Sequence, residues 1–252
     1  MAIPKIIHYC WFGGNPKSKL ALNCILSWKK FCPEYKFYEW NESNFDVNSN
    51  IYVKEAYENK KYAFVSDYVR LKALYEVGGI YLDTDVELLK SLDDLLFYQT
   101  VVGFEEKKFI MTGFLATECK QAIFEEWLDS YKDRHYIIKN GKQDNTTNVH
   151  IFTNILKNHG LITNGEFQTF SGITVFPSEY FSPRNYYTEK TKITFNTYAI
   201  HHFERSWCEK ETLTQRTLRR HPKLNYLYHI PNRIGMRLLG HNYKKLKRML
   251  KK

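Results

Sequence analysis

The sequence predicts an α/β protein whose core sheet contains parallel strands, followed by a basic C-terminal segment. Strand-like and helix-like patterns alternate along the first 85 residues, as in proteins built from a sheet covered by helices. The chain has 252 residues, 43% of them hydrophobic and 25% charged, which excludes a disordered chain and a disulfide-held miniature domain. The excess of positive charge is confined to residues 212–252. We therefore expect one sizeable globular body at residues 1–211 and a helical basic tail at residues 212–252.

The N-terminal segment predicts a strand, a helix and a second strand. Residues 3–11 form an apolar, β-branched run that ends at the turn-forming sequence FGGNP, residues 12–16. The hydrophobic spacing predicts a helix over Lys19–Phe31 and a strand over Tyr35–Trp40. This alternation favours parallel pairing of the two strands.

A second helix and strand lead to a pair of acids. Ser66 is of the type that caps a helix N-terminus, so the spacing predicts a helix over Asp67–Val77 that ends at Gly78-Gly79. Residues 80–82 form a short buried-type strand. Asp83-Thr84-Asp85 follows at its carboxyl end, where open α/β sheets bind their ligands.

The elements after residue 85 are less regular. The patterns predict three strands, one helix and a second helix that follows a polar loop. The strands are predicted at Thr100–Phe104, Thr174–Pro177 and Thr197–Phe203. The first helix is predicted at Gln121–Tyr131, and the second in a segment that ends at Asn158.

The basic tail raises two alternatives. It carries twelve basic and no acidic residues, whereas the body carries a net formal charge of −2, which makes nucleic acid an unlikely partner of the body. In residues 234–252, leucines lie among the basic residues in a loosely helical, amphipathic pattern, and Pro222 and Pro231 break the region, so its helices should be short. Such a segment gains about 1 kcal/mol per basic residue on an anionic membrane surface. A solvated basic helix packed on the body is equally compatible with the sequence.

Other features of composition favour a cytoplasmic protein. The sequence contains no run of about 18 apolar residues and no leader-like N-terminus. Its five cysteines are scattered, without the spacing of a zinc site. We therefore expect reduced structural thiols and a cytoplasmic location, with the tail on the inner face of the membrane as one alternative.

Two residue pairs have the spacing that a ligand site needs. Asp83 and Asp85 stand at i and i+2, so on an extended or tightly turned backbone both carboxylates face one side and can share a divalent cation with a phosphate. Asp67 and Arg70 stand at i and i+3 on one helix face, where a local ion pair is the simpler interpretation. Two carboxylates so close need a cation or a proton between them.

Three separated motifs resemble those of glycosyltransferase family 32. The sequences YAFVSDYVRL at 62–71 and LYEVGGIYLDTD at 74–85 resemble its DXD-containing sugar-binding region. Residues 3–14, and residues 198–203 with Ser206-Trp207, resemble its opening strand and its closing signature. The family includes bacterial capsular and lipopolysaccharide glycosyltransferases, fungal initiating mannosyltransferases and, more distantly, the glucosylating domain of large clostridial toxins. The resemblance covers about residues 3–207.

The resemblance implies a fold and an activity. The fold would be of GT-A type, a Rossmann-like α/β sheet that binds a nucleotide-diphosphate sugar. The activity would be that of a metal-dependent, retaining hexosyltransferase. It would move a sugar, from UDP-sugar by preference, to a glycan or lipid-linked acceptor in bacterial surface polysaccharide synthesis. No Asp or Glu of the sequence stands out as a covalent nucleophile, which suits a front-face attack by the acceptor.

The resemblance also implies roles for individual residues. Trp11 would stack on the nucleotide base, Asp67 and Arg70 would hold ribose and sugar hydroxyls, and Tyr81 would line the nucleotide pocket. Ser206 and Trp207 would close a loop over the diphosphate. Catalysis would rest on Asp67, Arg70, Asp83 and Asp85.

The same resemblance implies a metal site for Mn²⁺ or Mg²⁺. Asp85 would bind the cation directly, Asp83 would contact it through water or contact the sugar, and His201 would complete the site. His202 is an alternative to His201, because neighbouring side chains on a strand face opposite sides and only one of the two can serve.

Two other functions and one other site remain open at this stage. The tail of a non-catalytic module could bind nucleic acid or anionic lipid, which would make the binding salt-sensitive. A toxin-like transferase acting on a host protein is a further alternative. The loop at Gln143-Asp144-Asn145 either approaches the sugar or is an ordinary solvated turn.

Overall fold

The computed structural model describes residues 2–204, 217, 218, 220 and 242. The chain divides into two compact units, the first formed by residues 1–183 and 192–207 and the second by residues 184–191 and 208–252. Within the second unit, Asn185 accepts hydrogen bonds from the backbone N–H groups of Tyr187 and Thr188. The predicted basic tail lies almost wholly outside the described residues, and the predicted division at residue 211 stays a prediction.

The described part of the first unit contains ten strands and five α-helices. In chain order they are β1 (Ile6–Cys10), α1 (Lys19–Phe31), β2 (Lys36–Trp40), α2 (Ile51–Glu58), α3 (Tyr62–Val77), β3 (Gly79–Leu82), β4 (Val86–Leu88), β5 (Thr100–Glu106), β6 (Phe109–Ile110), β7 (Phe114–Thr117), α4 (Ala122–Asp129), α5 (Asn148–Asn158), β8 (Gln168–Phe170), β9 (Ile173–Phe176) and β10 (Ala199–His201). None of these helices has the length and apolar character that crossing a bilayer requires.

The main sheet is mixed, with the order β2-β1-β3-β7-β5-β9-β8, and β6 pairs with β5. Strand β1 runs parallel to β2 and β3, and β5 runs parallel to β9. Strand β7 is antiparallel to both β3 and β5, so β3 and β5 point the same way. The predicted fold class, an α/β protein with a Rossmann-like sheet, is confirmed, and the antiparallel strand β7 at its centre is a feature that the sequence did not predict.

This topology brings the carboxyl ends of β1, β3 and β5 to one edge of the sheet. Trp11 follows β1 directly, and Asp83 follows β3 directly. Because ligands of open α/β sheets bind at the carboxyl ends of the strands, this edge is the natural place for a site.

A two-stranded antiparallel ribbon, β4 with β10, stands apart from the main sheet. The pairing of His201 with Val86 brings the end of β10 beside the residues that follow β3. The strand predicted at Thr197–Phe203 is therefore shorter than expected and belongs to this ribbon. Trp28 of α1 fixes the ribbon in place, because its fully buried indole donates a 2.6 Å hydrogen bond to the Val86 carbonyl.

Helix α3 begins one turn earlier than predicted. Ser66 lies inside the helix, where its hydroxyl donates to the Tyr62 carbonyl at 3.0 Å, so its predicted role as N-cap is wrong. A serine within a helix commonly satisfies its hydroxyl in this way. The predicted end is correct: Gly78 has φ +71°, a conformation that glycine adopts at little cost.

His8 is a buried polar side chain in the core of the sheet. Its Nδ1 accepts a hydrogen bond from Trp40 Nε1 at 3.2 Å, and its Nε2 donates to the Gly78 carbonyl at 2.9 Å. Burial lowers the pKa of His8, against the opposing effect of the Gly78 carbonyl. The neutral ring therefore belongs to the folded state.

We predict that His8 makes the folded protein sensitive to acid. Its pKa is lower in the folded than in the unfolded chain, so the stabilisation is complete above pH 6.5 and is lost as the pH falls towards the lowered value. In that window the free energy of unfolding should fall by up to about 1.4 kcal/mol per pH unit. Urea unfolding of wild type and of His8→Gln between pH 5 and 8 measures the difference, with exposed His150→Gln as the control. Parallel curves for wild type and His8→Gln would contradict the prediction.

Candidate active site

The Asp83-Thr84-Asp85 segment forms a tight turn between β3 and β4. The Val86 N–H donates to the Asp83 carbonyl at 2.9 Å, which closes the turn, and the Asp83 N–H donates to the Gly113 carbonyl at 2.8 Å, which fixes it to the loop before β7. Position 113 has room only for glycine, because a Cβ there would lie 2.8 Å from Asp83 Oδ2. The two carboxylates are therefore held at the sheet edge by backbone hydrogen bonds.

His201 joins the two acids to form a cluster of three ligand atoms. One atom from each of Asp83, Asp85 and His201 lies within 4.8 Å of the other two. Among the residues that the structure describes, the buried Nδ1 of His201 has no hydrogen-bond partner. Two carboxylate oxygens and one imidazole nitrogen suit Mn²⁺, and Mg²⁺ less well. The residues thus fit the predicted divalent cation.

Asp85 and His201 form a contact in which each group shifts the pKa of the other. Nε2 of His201 lies 3.5 Å from Asp85 Oδ1, and the Glu204 N–H donates to Asp85 Oδ2 at 2.7 Å. Burial alone would raise the pKa of Asp85, but His201 outweighs it and lowers that pKa to about 2. Burial alone would lower the pKa of His201, but the charge of Asp85 raises it to about 9. In the absence of a metal, a proton on His201 balances Asp85.

His202 takes a different partner. Its Nε2 lies 2.8 Å from Glu87 Oε2, on the other side of β10, while its backbone N–H donates to the Asp85 carbonyl at 2.9 Å. The expectation that only one of the two histidines can reach the acids agrees with this geometry, and the histidine that reaches them is His201.

A buried guanidinium supports Asp83. Arg70 is 4% exposed, and its Nη1 and Nη2 lie 3.4 and 3.3 Å from the two oxygens of Asp83. Nη2 also lies 2.9 Å from Asp67 Oδ1, Nη1 donates to the Thr112 carbonyl at 2.7 Å, and Nε donates to the Ser66 carbonyl at 3.3 Å. The polar atoms of Arg70 are thus occupied by protein groups.

Asp67 lies beneath Asp83 at the first turns of α3. Burial raises the pKa of Asp67 to about 6, against the attraction of Arg70. Its carbonyl accepts a 3.0 Å hydrogen bond from Asn148, which ties α5 to this part of α3. The side chain of Asp67 is 14% exposed, compared with 28% for Asp83.

Tyr81 contributes to the site in a different way from that predicted. The sequence resemblance implies a wall of the nucleotide pocket, but the ring is only 1% exposed and lies under the guanidinium of Arg70, 4.6 Å from its Cζ. Its hydroxyl donates to Asp83 Oδ1 at 2.9 Å. Tyr81 therefore positions Asp83 rather than presenting a surface to a ligand.

Trp11 stands on the same sheet edge, past the end of β1. Its indole N–H donates to the Asn15 carbonyl at 2.6 Å, which holds the ring against the loop at residues 12–16. Lys17 Nζ lies 5.6 Å from the ring centroid and pairs with Glu39 at 2.9 Å. The ring is half-buried, and its role in stacking on a base stays a prediction.

The remaining predicted residues do not join the cluster in the described part of the chain. Ser206 and Trp207 lie outside the described residues. In the loop at Gln143-Asp144-Asn145, Asp144 pairs with Arg134 at 2.8 Å and Gln143 accepts from Tyr136 at 3.0 Å. Asp144 and Gln143 thus bind nearby protein residues, which agrees with an ordinary turn.

Sequence reasoning missed three contributors to the site. Gly113 leaves room for Asp83, the Thr112 carbonyl accepts from Arg70, and Glu105 stands on β5 within the electrostatic influence of both acids. None of the three belongs to a recognisable motif. Only the pairing of β7 with the DXD strand β3 on one side and with β5 on the other reveals them.

Fold and site together define an α/β protein with an Asp-Thr-Asp turn and a histidine at the carboxyl edge of its sheet, the edge where such sheets bind their ligands. Residues 18–102 match the family described as "Glycosyltransferase sugar-binding region containing DXD motif". This match covers about a third of the chain, and within it the chain is similar to the DXD-containing, family 32-like glycosyltransferases, in agreement with the predicted family.

Named relatives match parts of the chain. It is 34% identical over 104 residues to Inositol phosphoceramide mannosyltransferase 3 of Schizosaccharomyces pombe, covering 38% of this chain and 28% of the relative. It is 28% identical over 149 residues to the human Lactosylceramide 4-alpha-galactosyltransferase, covering 54% of this chain and 40% of the relative. The matches thus span less than half the length of these relatives. Among solved structures, the PaToxG glycosyltransferase is similar at 20% identity and a TM-score of 0.49, over 62% of this chain and 70% of that one.

We predict that Asp85 and His201 bind Mn²⁺ and that their neighbours Glu87 and His202 do not. Asp85→Asn and His201→Ala should each weaken Mn²⁺ binding by about 100-fold, because each removes a ligand atom from the cluster. Glu87→Gln and His202→Ala form the matched controls, since they carry the same kinds of change two positions from Asp85 and one position from His201. The EPR signal of free Mn²⁺ in titrations of each variant measures the affinity. Equal losses in both pairs would contradict the assignment.

We predict that Gly113→Ala weakens the same site without unfolding the protein. The new Cβ would press on Asp83 Oδ2, so Asp83 has to leave either Arg70 or the cluster. Mn²⁺ affinity should fall about tenfold, as is typical when the support of a ligand is disturbed. Met111→Leu, a volume-conserving change in the same loop, is the control. Unchanged affinity in Gly113→Ala would show that Asp83 does not need this space.

Proposed function

We propose that this protein is a metal-dependent glycosyltransferase that moves a sugar from a nucleoside-diphosphate sugar, UDP-sugar by preference, to a glycan or lipid-linked acceptor. The observation that carries the proposal is the convergence of Asp83, Asp85 and His201 at a sheet edge that also carries Trp11. The match of residues 18–102 to the DXD-containing sugar-binding family supports it independently.

The order of strands gives the donor a direction along this edge. Trp11 follows β1, and the two acids follow the neighbouring strand β3. A base stacked on the indole would place a diphosphate near Asp83 and Asp85, one strand away. The same direction leads the sugar towards β7, the strand next to β3.

The metal-binding residues fit Mn²⁺ better than Mg²⁺, because an imidazole nitrogen is among the ligands. Asp85 and His201 would hold the ion directly and Asp83 would complete the set. When bound, the ion supplies positive charge beside the diphosphate, whose negative charge grows as the bond to the sugar breaks. Asp85 is fully ionised at neutral pH, and His201 has to release its proton before its nitrogen can serve as a ligand.

We propose a positioning role for Arg70. Its N–H groups are directed at Asp67, Asp83 and two carbonyls, so it orients carboxylates instead of grasping the sugar itself. The carboxylates of Asp67 and Asp83 retain partial exposure and can accept hydrogen bonds from ribose or sugar hydroxyls. This revises the direct contact that the sequence resemblance implies for Arg70.

The names of two relatives support a lipid-linked acceptor. One is an inositol phosphoceramide mannosyltransferase and the other a lactosylceramide galactosyltransferase, and both names denote a sugar acceptor attached to a lipid. The basic residues at 212–252 suit an anionic membrane on which such an acceptor resides. Retention of configuration, a cytoplasmic location and a part in bacterial surface polysaccharide synthesis stay predictions.

A donor panel tests the proposed function. We expect at least one UDP- or GDP-sugar to raise the melting temperature in the presence of Mn²⁺ but not of EDTA, since a ligand that binds only the folded state stabilises it. The same sugar should be hydrolysed slowly to the nucleoside diphosphate. Asp85→Asn should lower that turnover by about 100-fold or more, whereas Glu87→Gln should not. No metal-dependent binding of any donor, or full turnover by Asp85→Asn, would refute the proposal.

A further inference from the structure

Glu105 stands at the site edge without belonging to the DXD motif. Strand β7 is antiparallel to both β3 and β5, so these two strands run in the same direction and their carboxyl ends lie at one edge of the sheet. Glu105 is the penultimate residue of β5, and Asp83 follows β3 directly. Glu105 is close enough to Asp83, Asp85 and His201 for their charges to act on it.

The backbone of β5 departs from regular pairing at this residue. Phe104 pairs with Ile110 and Glu106 pairs with Phe109, so the register shifts between Phe104 and Glu106 and Glu105 has no residue opposite it in β6. A bulge of this kind changes the direction of the extra side chain and is frequent beside active sites.

The carboxylate of Glu105 is subject to the charges of the cluster and makes no hydrogen bond within the part of the chain that the structure describes. Burial raises its pKa, and the negative charges of Asp83 and Asp85 act in the same direction, against the attraction of His201. No hydrogen bond or ion pair to Glu105 occurs among the residues that the structure describes. Its oxygens are not part of the three-ligand group, so the ligand set of the metal site is complete without it. A half-buried carboxylate that receives no hydrogen bond from the described residues needs a donor from outside the protein.

The position of Glu105 relative to Trp11 indicates which molecule provides those donors. In the strand order, Trp11 lies on the β1 side of the two acids and Glu105 lies on the β5 side. If the base is at Trp11 and the diphosphate is at Asp83 and Asp85, the reacting sugar carbon and the group that attacks it lie beyond the acids. The groups that meet Glu105 are then hydroxyls of the acceptor.

We propose that Glu105 is an acceptor-binding residue, whose carboxylate accepts a hydrogen bond from a hydroxyl of the acceptor glycan and orients it towards the sugar. This inference rests on the proposed function. It distinguishes Glu105 from Asp83 and Asp85, which serve the donor and its metal.

Glu105→Gln, Glu105→Ala and the matched control Glu106→Gln test the assignment. Binding of UDP with Mn²⁺ by calorimetry and hydrolysis of the donor sugar by water report the donor site. Transfer to methyl glycosides and to lactose, each titrated over a range of concentrations, reports the acceptor site. Melting temperatures verify that the variants are folded.

We expect Glu105→Gln to keep UDP·Mn²⁺ affinity and hydrolysis within about twofold of wild type. Its KM for the preferred glycoside should rise about tenfold, with a smaller effect on kcat, because a charge-assisted hydrogen bond to the acceptor is lost. Glu105→Ala should show at least as large a rise, and Glu106→Gln should behave as wild type. If the role of Glu105 were purely structural, the KM for the acceptor and the affinity for UDP·Mn²⁺ would change together.

Three results would overturn the assignment. One is a loss of UDP·Mn²⁺ binding in Glu105→Gln as large as that in Asp85→Asn, which would place Glu105 in the metal site. Another is unchanged transfer in both Glu105 variants. The third is a wild-type enzyme that prefers water to every glycoside tested. If wild type binds no donor at all, the proposed function fails first, and the calorimetry identifies that case separately.

Discussion

Two carboxylates with one residue between them on a tight turn repel each other, and the structure places a cationic group beside each of them. Arg70 contacts Asp83 at 3.3 and 3.4 Å from within the protein and is shared with Asp67 at 2.9 Å. Asp85 is balanced by His201, a group that can give up its positive charge. The first pairing is permanent and the second is exchangeable. A divalent ion can replace the proton of His201 but cannot replace Arg70.

Three parts of the fold bring these charged groups together. Strand β3 delivers the two acids to the sheet edge, α3 places Arg70 beneath them, and the β4–β10 ribbon returns the chain so that His201 closes the cluster. Trp28 anchors the ribbon through a buried hydrogen bond, so a residue far from the chemistry fixes the position of a ligand. Tyr81 and Gly113 complete the support from below and from the side. The site is thus assembled from segments more than 100 residues apart in the chain.

Local patterns predict much of the fold and the acidic half of the site. The bounds of α1 agree with the prediction made from its apolar spacing, and in the structure Ser18 caps its N-terminus by accepting a hydrogen bond from the Ala21 N–H. The end of α3 was predictable because only glycine adopts φ +71° easily, whereas its start was not, because Lys61 makes no side-chain cap. The Asp-Thr-Asp turn stands where a short buried strand ends, and that much is visible in the sequence.

Pairing between distant strands is what the sequence does not show. His201 and His202 each have an acidic neighbour, Asp85 just before β4 and Glu87 within it, and only the ribbon's register decides which histidine reaches the cluster. Glu105 likewise owes its place to the antiparallel insertion of β7 and to a register shift in β5. The burial of Tyr81 follows from α3 lying over it, which no local pattern predicts.

The central claim is that Asp83, Asp85 and His201 hold a single divalent ion. Pulsed EPR of the protein with one equivalent of Mn²⁺ tests it most directly, because nitrogen coordination produces a ¹⁴N coupling that carboxylate and water ligands cannot. The account predicts a coupling from one imidazole that is present in wild type and in His202→Ala and absent in His201→Ala. Bound Mn²⁺ without any nitrogen coupling in wild type, or with a coupling that survives in His201→Ala, would contradict it.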